Sequence, residues 1–402
     1  MRKLARDNLF GAFLGGLLLA LPAQAQESAE PFFAVHRQPA IPLVSLRMSL
    51  LVDDPPGLAG AGHLLQHIRY PSLEAQAQVV GAKVRVERTS DAIVYTVTGP
   101  TVELPYLAAI LRSALEPPVA GAGARLSAER ELTEERLAEW ETADKHLRST
   151  LRAHLFPADL SAAGTPASAE RLSEEPLDEL WARLYRPDRL AILAVGDVSL
   201  EDVRREFADL PAAPDVESSG ARLDTAFLGP LAPAEATRGW FGVGYPIDDL
   251  PAAAVSVTAR LLADLLQAQL PSSEVWGEHW WTHYGQALVL MVAAPTSALR
   301  GAPERLREAP AELAADLTEA RVSDAARALR HDMLFYSRTP DRMAEVVGRF
   351  IDRGGDAESA QRFYAELADV GVSDVREVLE SLDEAGAVRA EIPPQNLEAT
   401  RR

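Results

Sequence analysis

Apolar residues recur along the chain with two different periods, and each period predicts a different kind of element. Alternating apolar and polar residues, or a short apolar run, predict a strand. In the first half such segments cover residues 42–52, 82–89, 91–99 and 189–198. Apolar residues three and four positions apart predict amphipathic helices. These begin at residue 62 and then cover 102–117, 127–156 with Ser127 as N-cap, the end of 161–185, and 199–211.

The second half repeats the same order of patterns. Strands are predicted over residues 238–247, 286–295 and 386–394. Helices are predicted over residues 251–270, 302–317, 323–337, 339–354, 357–370 and 373–382. Strands that follow one another in hairpins, with helices grouped between them, favour an α+β fold over the strict alternation of a parallel doubly wound sheet.

The length and one change of composition predict two domains. A chain of 402 residues suits two domains of roughly 200. Residues 211–237 are rich in Pro, Gly, Ala and Ser, which is typical of a linker. We therefore predict an N-terminal domain over 26–210, the linker over 211–237 and a C-terminal domain over 238–402.

The first 25 residues have the pattern of a secretory signal peptide. Basic residues at the start precede an apolar run, and the small residues Ala23 and Ala25 follow it. The run is shorter than the ~20 residues that a membrane span needs. We predict cleavage near Gln26 and an exported, periplasmic protein with no membrane span; a retained N-terminal anchor is the alternative.

Charge and cysteine content exclude several classes of function. The formal net charge is -19, from 59 acidic and 40 basic residues. Nucleic-acid binding needs clustered Lys and Arg, so it is not expected. Because the chain has no cysteine, thiol catalysis is excluded, and any metal site must use His, Asp and Glu. Neither a Gly-rich phosphate loop nor a G-x-S-x-G nucleophile motif occurs.

Two histidines in the segment GLAGAGHLLQHIRYPS (57–72) are candidates for metal ligands. His63 and His67 are four positions apart, so on a helix they share one face and are able to hold one ion. Gln66 stands between them, where a metallopeptidase carries a glutamate. Histidines at this spacing on an arbitrary helix are more often ordinary surface or core residues. The spacing alone therefore does not decide between a metal site and such a structural role.

The first half resembles the insulinase/pitrilysin metallopeptidases, whose inverted zinc motif is H-x-x-E-H. DDPPGLAGAGHLLQH is similar to their acidic-proline turn and zinc motif. GAKVRVERTSDAIVY resembles their hairpin, with Asp91 and Tyr95 at matching positions. ERELTEERLAEW with the GTPAS loop, and LWARLYRPDRLAILAVGDVS, resemble their later motifs in the correct order. The second half matches in architecture only.

The resemblance implies two homologous halves and a zinc site. Its first two ligands are His63 and His67, and the third is a glutamate on the downstream helix. Glu131, Glu134, Glu135 and Glu139 are candidates; the position of the LF pair at 155–156 favours Glu135. Glu131 is then an outer residue, and Glu131 or Glu134 is the alternative ligand. A zinc ion is the implied cofactor.

Three positions depart from the family pattern. Gln66 replaces the glutamate that acts as general base, a role worth ~10²–10⁴ in rate. Arg85 and Val86 replace the Asn and Ala of the hairpin that binds the peptide backbone. A neutral amide cannot accept a proton, so the substitution removes the chemistry while sparing the fold.

These departures lead to one principal hypothesis of function and two alternatives. The chain is expected to be a non-catalytic subunit that forms a heterodimer with an active insulinase-family peptidase and helps to enclose unfolded peptides. The enzymatic alternative is a zinc metalloendopeptidase with atypical or weak activity, in which a carboxylate such as Glu131 replaces Gln66. The third is a peptide-binding or assembly protein without metal.

A second histidine pair, His279 and His283, lies in EVWGEHWWTHY (274–284). A metal site, a peptide-binding wall and an aromatic packing patch between helices or against a partner are the alternatives. The tryptophans favour the packing patch.

Overall fold

The structure is a computed structural model, which describes residues 31–51, 54–89, 91–118, 121–157, 163–210 and 238–394. The predicted signal peptide and linker lie outside these residues. The strands are β1 (Phe32–Arg37), β2 (Leu43–Leu51), β3 (Lys83–Arg88), β4 (Ala92–Pro100), β5 (Leu190–Gly196), β6 (Gly239–Ile247), β7 (Glu274–Thr282), β8 (Gly285–Ala294) and β9 (Val388–Ile392).

Helices make up most of the remaining described chain. In the first half they are α1 (Ala61–Val79), α2 (Leu104–Ala114), α3 (Ala122–Ala138), α4 (Ala143–Leu155), α5 (Pro166–Glu174), α6 (Leu177–Leu184) and α7 (Leu200–Glu206). In the second half they are α8 (Ala252–Gln269), α9 (Thr296–Leu299), α10 (Ala302–Ala315), α11 (Glu319–Tyr336), α12 (Pro340–Ile351), α13 (Ser359–Asp369) and α14 (Val372–Ser381). Across the described residues, no helix combines the length and apolar character needed to cross a membrane.

The two halves contain equivalent sheets. The first sheet has the order β1-β5-β2-β4-β3, and the second has the order β7-β8-β6-β9. Read in the opposite direction, the second matches the run β5-β2-β4-β3, so β1 is an addition to the first half. All neighbouring strands are antiparallel except β1 and β5. The predicted α+β fold of two similar halves is confirmed.

Each sheet has its own helices on one face and a helix from the other half on the opposite face. Helices α1 and α2 cover the first sheet, and α12 packs against its other face over β2 and β5. Helix α8 covers the second sheet, and α4 packs against that sheet's other face over β6 and β9. This exchange of helices α4 and α12 joins the two halves.

The exchanged helices are held by ion pairs as well as by apolar contacts. Arg47 of β2 forms a bidentate pair with Asp352, directly after α12, and both side chains are 2% exposed. Arg148 of α4 binds Glu278 of β7 through two hydrogen bonds of 2.7 and 2.8 Å. The polar residues of β2 therefore face α12 instead of solvent. This explains why β2 is buried on both faces although its sequence alternates between apolar and polar residues.

Two sequence predictions were wrong. The single helix predicted over 127–156 is two helices, because the chain turns at residues 139–142 and Thr142 caps α4 by accepting from the backbone N–H of Lys145. Ser127 lies inside α3 instead of capping it. Strands β1 and β7 were not predicted as strands. The tryptophans of β7 pack against helices: Trp276 and Trp280 lie in the cluster that contains α4, and Trp281 packs edge-on against Phe350 of α12.

Candidate metal centre

The segment before α1 fixes where this helix begins. The carboxylate of Asp54 accepts hydrogen bonds from the backbone N–H groups of Gly60 at 2.8 Å and Gly62 at 2.9 Å. An anion at this end of a helix satisfies free N–H groups and interacts favourably with the helix dipole. Gly60 has a φ of 91°, a conformation that a residue with a Cβ rarely adopts. Together these contacts set the start of α1 at Ala61, so that His63 lies in the first turn of the helix and His67 lies one turn further on.

The GTPAS loop, residues 164–168, also holds the start of α1 in place. Ser168 donates a 2.8 Å hydrogen bond to the carbonyl oxygen of Ala59. Gly164 has a φ of 74°, and a Cβ there would lie 2.2 Å from that same oxygen. Thr165 and Ser168 also form the capping box of α5. The GTPAS loop that was noted in the sequence therefore positions the start of α1.

The structure brings three of the predicted ligands together. His63 Nε2 lies 3.0 Å from Glu135 Oε2, and His67 Nε2 lies 3.3 Å from Glu135 Oε1. The two imidazole rings are stacked with centroids 4.7 Å apart. One ligand atom from each of the three residues lies within 4.8 Å of the other two, and among the described residues this is the one group with that property.

Glu131 approaches the same cluster from the outside. Its Oε2 lies 3.0 Å from His67 Nδ1, the nitrogen that faces away from Glu135. Burial lowers the pKa of His67, but the interactions with Glu135 and then Glu131 outweigh it, so that this pKa is raised overall. The hydrogen bonds from His63 and then His67 hold the pKa of Glu135 far below its usual range.

The arrangement fits a zinc ion on two observations. Bond lengths of ~2.0–2.1 Å to nitrogen in a tetrahedral site place neighbouring ligand atoms roughly 3.3 Å apart, close to the separations of the two histidines from Glu135. In addition, His67 Nε2 is buried and faces the Glu135 carboxylate at 3.3 Å, in the direction from which a shared ion would be held. A carboxylate on the other ring nitrogen of a ligating histidine, as Glu131 provides, is the usual outer contact of such sites.

Gln66 lies on the same buried turn of α1 as the two histidines. Its side chain is 5% exposed, and its Oε1 is buried without a hydrogen-bond partner within the part of the chain that the structure describes. Because an amide has no basic atom at neutral pH, the cluster contains two imidazoles and two carboxylates but no group at position 66 to accept a proton.

The other predicted site residues are not at this cluster. Glu134 points to solvent, 70% exposed and 3.7 Å from Arg130. Arg85 lies on the edge strand β3 and binds Glu345 of α12 at 2.7 Å. Val86 follows it on β3 and packs partly buried against the first core. Arg85 therefore ties β3 to the second half.

The second histidine pair is divided between two different environments. His279 on β7 is hydrogen-bonded to Ser256 and Gln286, and burial lowers its pKa to about 4. His283 instead binds Asp91 through its backbone N–H and Nδ1, at 2.8 and 2.7 Å. This contact joins the hairpins of the two sheets. No pattern in the sequence indicates this contact, because the two residues are 192 positions apart.

The comparisons with known proteins identify the fold. No protein-family model and no curated protein sequence matches the chain, but solved structures do. A protease from Helicobacter pylori matches with a TM-score of 0.76 and 13% identity, over 90% of this chain and 97% of that one. The inactive domain of a peptidase M16 from Pseudomonas fluorescens matches with a TM-score of 0.72 and 14% identity, over 92% and 96%.

A chain of complex III2 from Candida albicans matches with a TM-score of 0.74 and 14% identity, over 90% of this chain and 93% of that one. All three proteins resemble this chain over 90% or more of its length, and their names include a protease and an inactive peptidase domain. This chain therefore has the two-half α+β fold of the M16-like peptidases, the insulinase/pitrilysin group that its first-half motifs resemble.

Proposed function

We propose that this chain is an exported M16-fold peptidase homologue that binds zinc but does not cleave peptides by itself. In this proposal it is the non-catalytic subunit of a heterodimer with an active relative, and it helps to enclose unfolded peptides. His63, His67 and Glu135 hold the ion, and Glu131 orients His67.

One observation supports the proposal: His63, His67 and Glu135 lie close enough together to hold one ion, while position 66 holds an amide. In an active site of this kind the bound zinc supplies a Lewis acid. A carboxylate at position 66 would supply the base. Gln66 is nearly the same size as glutamate, so its presence leaves the packing of α1 intact and removes proton transfer alone.

The partner role is supported by an apolar surface at the end of α11. Leu334, Phe335 and Tyr336 are 53%, 63% and 41% exposed. The guanidinium groups of Arg338 and Arg342 lie 4.7 and 5.0 Å from the centroids of the Phe335 and Tyr336 rings. Aromatic residues and arginine are the side chains most enriched at protein interfaces. We call these five residues the α11 surface and propose that the active subunit contacts it.

The experiment is a peptidase assay on the mature protein, alone and mixed with an active relative that carries the intact H-x-x-E-H motif. We expect no cleavage by the chain alone, and faster cleavage by the mixture than by the relative alone. Replacing Leu334 and Phe335 with Asp should abolish this stimulation. Leu126→Asp should leave it unchanged, because Leu126 lies on α3 and is also well exposed, at 68%. Cleavage by the chain alone, blocked by chelation, would contradict the proposal.

The alternative function is a weak zinc metalloendopeptidase. Glu131 is the carboxylate that favours it, because it already lies in the cluster. A basal activity that disappears in Glu131→Gln while zinc remains bound would select this alternative. Unchanged basal activity in Glu131→Gln would exclude it.

A further inference from the structure

A cavity on the opposite side of α3 from the ligand cluster has no assigned role. It is formed between α1, α3 and α5, and its volume is about 310 Å³. Leu64, Leu132 and Leu172 provide apolar walls, and Arg136 and Glu170 provide opposite charges. Cavities of this size are at the lower end of the range that holds small-molecule ligands.

Arg136 is the anomaly in this cavity. Arg136 is only 7% exposed, yet no carboxylate of the described residues lies within ion-pair distance of its guanidinium. Its guanidinium reaches only the Thr165 carbonyl oxygen at 3.5 Å and the Thr133 hydroxyl at 3.3 Å. A guanidinium has five N–H donors. Because Arg136 makes only these two long contacts with neutral groups, its buried charge is poorly satisfied.

Glu170 supplies the opposite charge at the rim. It is exposed, and within the described ranges it forms no ion pair. The other acid in the cavity, Glu129, is neutralised by Arg125 at 2.8 Å. The cavity therefore has one unpaired cation inside, one unpaired anion at the rim and leucines between them.

We propose that this cavity binds a small zwitterion with an apolar side chain, namely an amino acid or dipeptide with free termini. The α-carboxylate would bind the guanidinium of Arg136, the α-ammonium would face Glu170, and the side chain would pack on Leu64, Leu132 and Leu172. A simple anion would satisfy Arg136 but would leave the apolar walls and Glu170 unused.

The test is calorimetric titration of the full mature chain, stripped of metal, with four probes: Leu-Leu, N-acetyl-Leu-Leu, Leu-Leu-amide and inorganic phosphate. We expect Leu-Leu to bind, and both blocked peptides to bind at least about tenfold more weakly, because each of them lacks one of the two charged termini that would bind Arg136 and Glu170. Phosphate binding without Leu-Leu binding, or no binding of any probe, would overturn the proposal.

Variants locate the binding. Arg136→Met and Glu170→Gln should weaken Leu-Leu binding at least about tenfold. Arg130→Met, on the same helix but 71% exposed, and His63→Ala should leave it unchanged. Equal binding by Arg136→Met would overturn the proposal, and so would loss in His63→Ala, which would place the peptide at the ligand cluster. If Arg136→Met does not fold, the blocked peptides on the unmodified chain decide the question.

Discussion

The buried ion pair between Arg47 and Asp352 is predicted to be essential to the exchange of helices. In Asp352→Leu the carboxylate is lost, and the guanidinium of Arg47, 2% exposed, keeps only its 2.8 Å hydrogen bond to Ser49. Removing one partner of a buried pair costs about 3–5 kcal/mol, since the remaining charge stays in a low-dielectric interior. We expect the free energy of unfolding to fall by this amount.

The local packing gives Arg47 no alternative position. Its guanidinium lies against the backbone of α12 at Gly348, where an added Cβ would be 2.4 Å from it. The charge therefore has no short route to solvent without displacing α12. For the same reason Arg47→Met combined with Asp352→Leu should be more stable than Asp352→Leu alone, because the double variant leaves no unpaired charge.

Urea titration followed by circular dichroism measures these differences. Asp197→Asn is the matched control, since Asp197 pairs with Arg37 at 2.9 Å but both side chains are about half exposed or more. It should change the free energy of unfolding by less than about 1 kcal/mol. A cost for Asp352→Leu as small as this control, or a double variant less stable than the single one, would refute the reasoning.

Two other predictions concern stability and the start of α1. Burial, with a further contribution from Arg353, holds the pKa of His279 at about 4, below the usual 6.5. The folded state therefore binds fewer protons than the unfolded state between these two pH values. The free energy of unfolding should fall by about 3 kcal/mol as the pH drops through this range. His279→Asn should flatten the urea-derived profile between pH 6.5 and 4, and an unchanged slope would contradict this assignment. Gly164→Ala should lower the free energy of unfolding by about 3 kcal/mol and weaken zinc binding about tenfold. The added Cβ would clash with the carbonyl oxygen of Ala59, and alanine would have to adopt an unfavourable positive φ. Gly354→Ala, with a φ of 84° and open space, should cost only about 1 kcal/mol and spare zinc, and equal effects would show that the contact with Ala59 is unimportant.

The periodicity of the sequence was sufficient for most elements but not for those that depend on distant partners. Strand β1 is defined by parallel pairing with β5, about 160 positions away. The break between α3 and α4 has no proline or glycine to mark it. It arises because α4 leaves its own half to pack on the second sheet, while the buried Trp140 packs edge-on against His146. Tertiary contacts of this kind leave no periodic signal.

The candidate site was predictable in part for a similar reason. The spacing of His63 and His67 places them on one face of a helix whatever the rest of the fold. The choice among the downstream glutamates depends on the rotation of α3 against α1, which the sequence does not encode locally. In the structure Glu131 and Glu135, one turn apart, both face the histidines, whereas Glu134 points to solvent.

The central claim is that this chain retains a metal site and lacks only the base. The most direct test is to measure zinc content and peptide cleavage together in the unmodified chain and in Gln66→Glu. The account predicts about one zinc per chain in both proteins, no cleavage by the first, and cleavage by the second that chelation abolishes. Because Arg85 and Val86 also depart from the family pattern, the restored rate should be below that of an active relative. Absence of zinc from both proteins, or equal cleavage by both, would contradict the account.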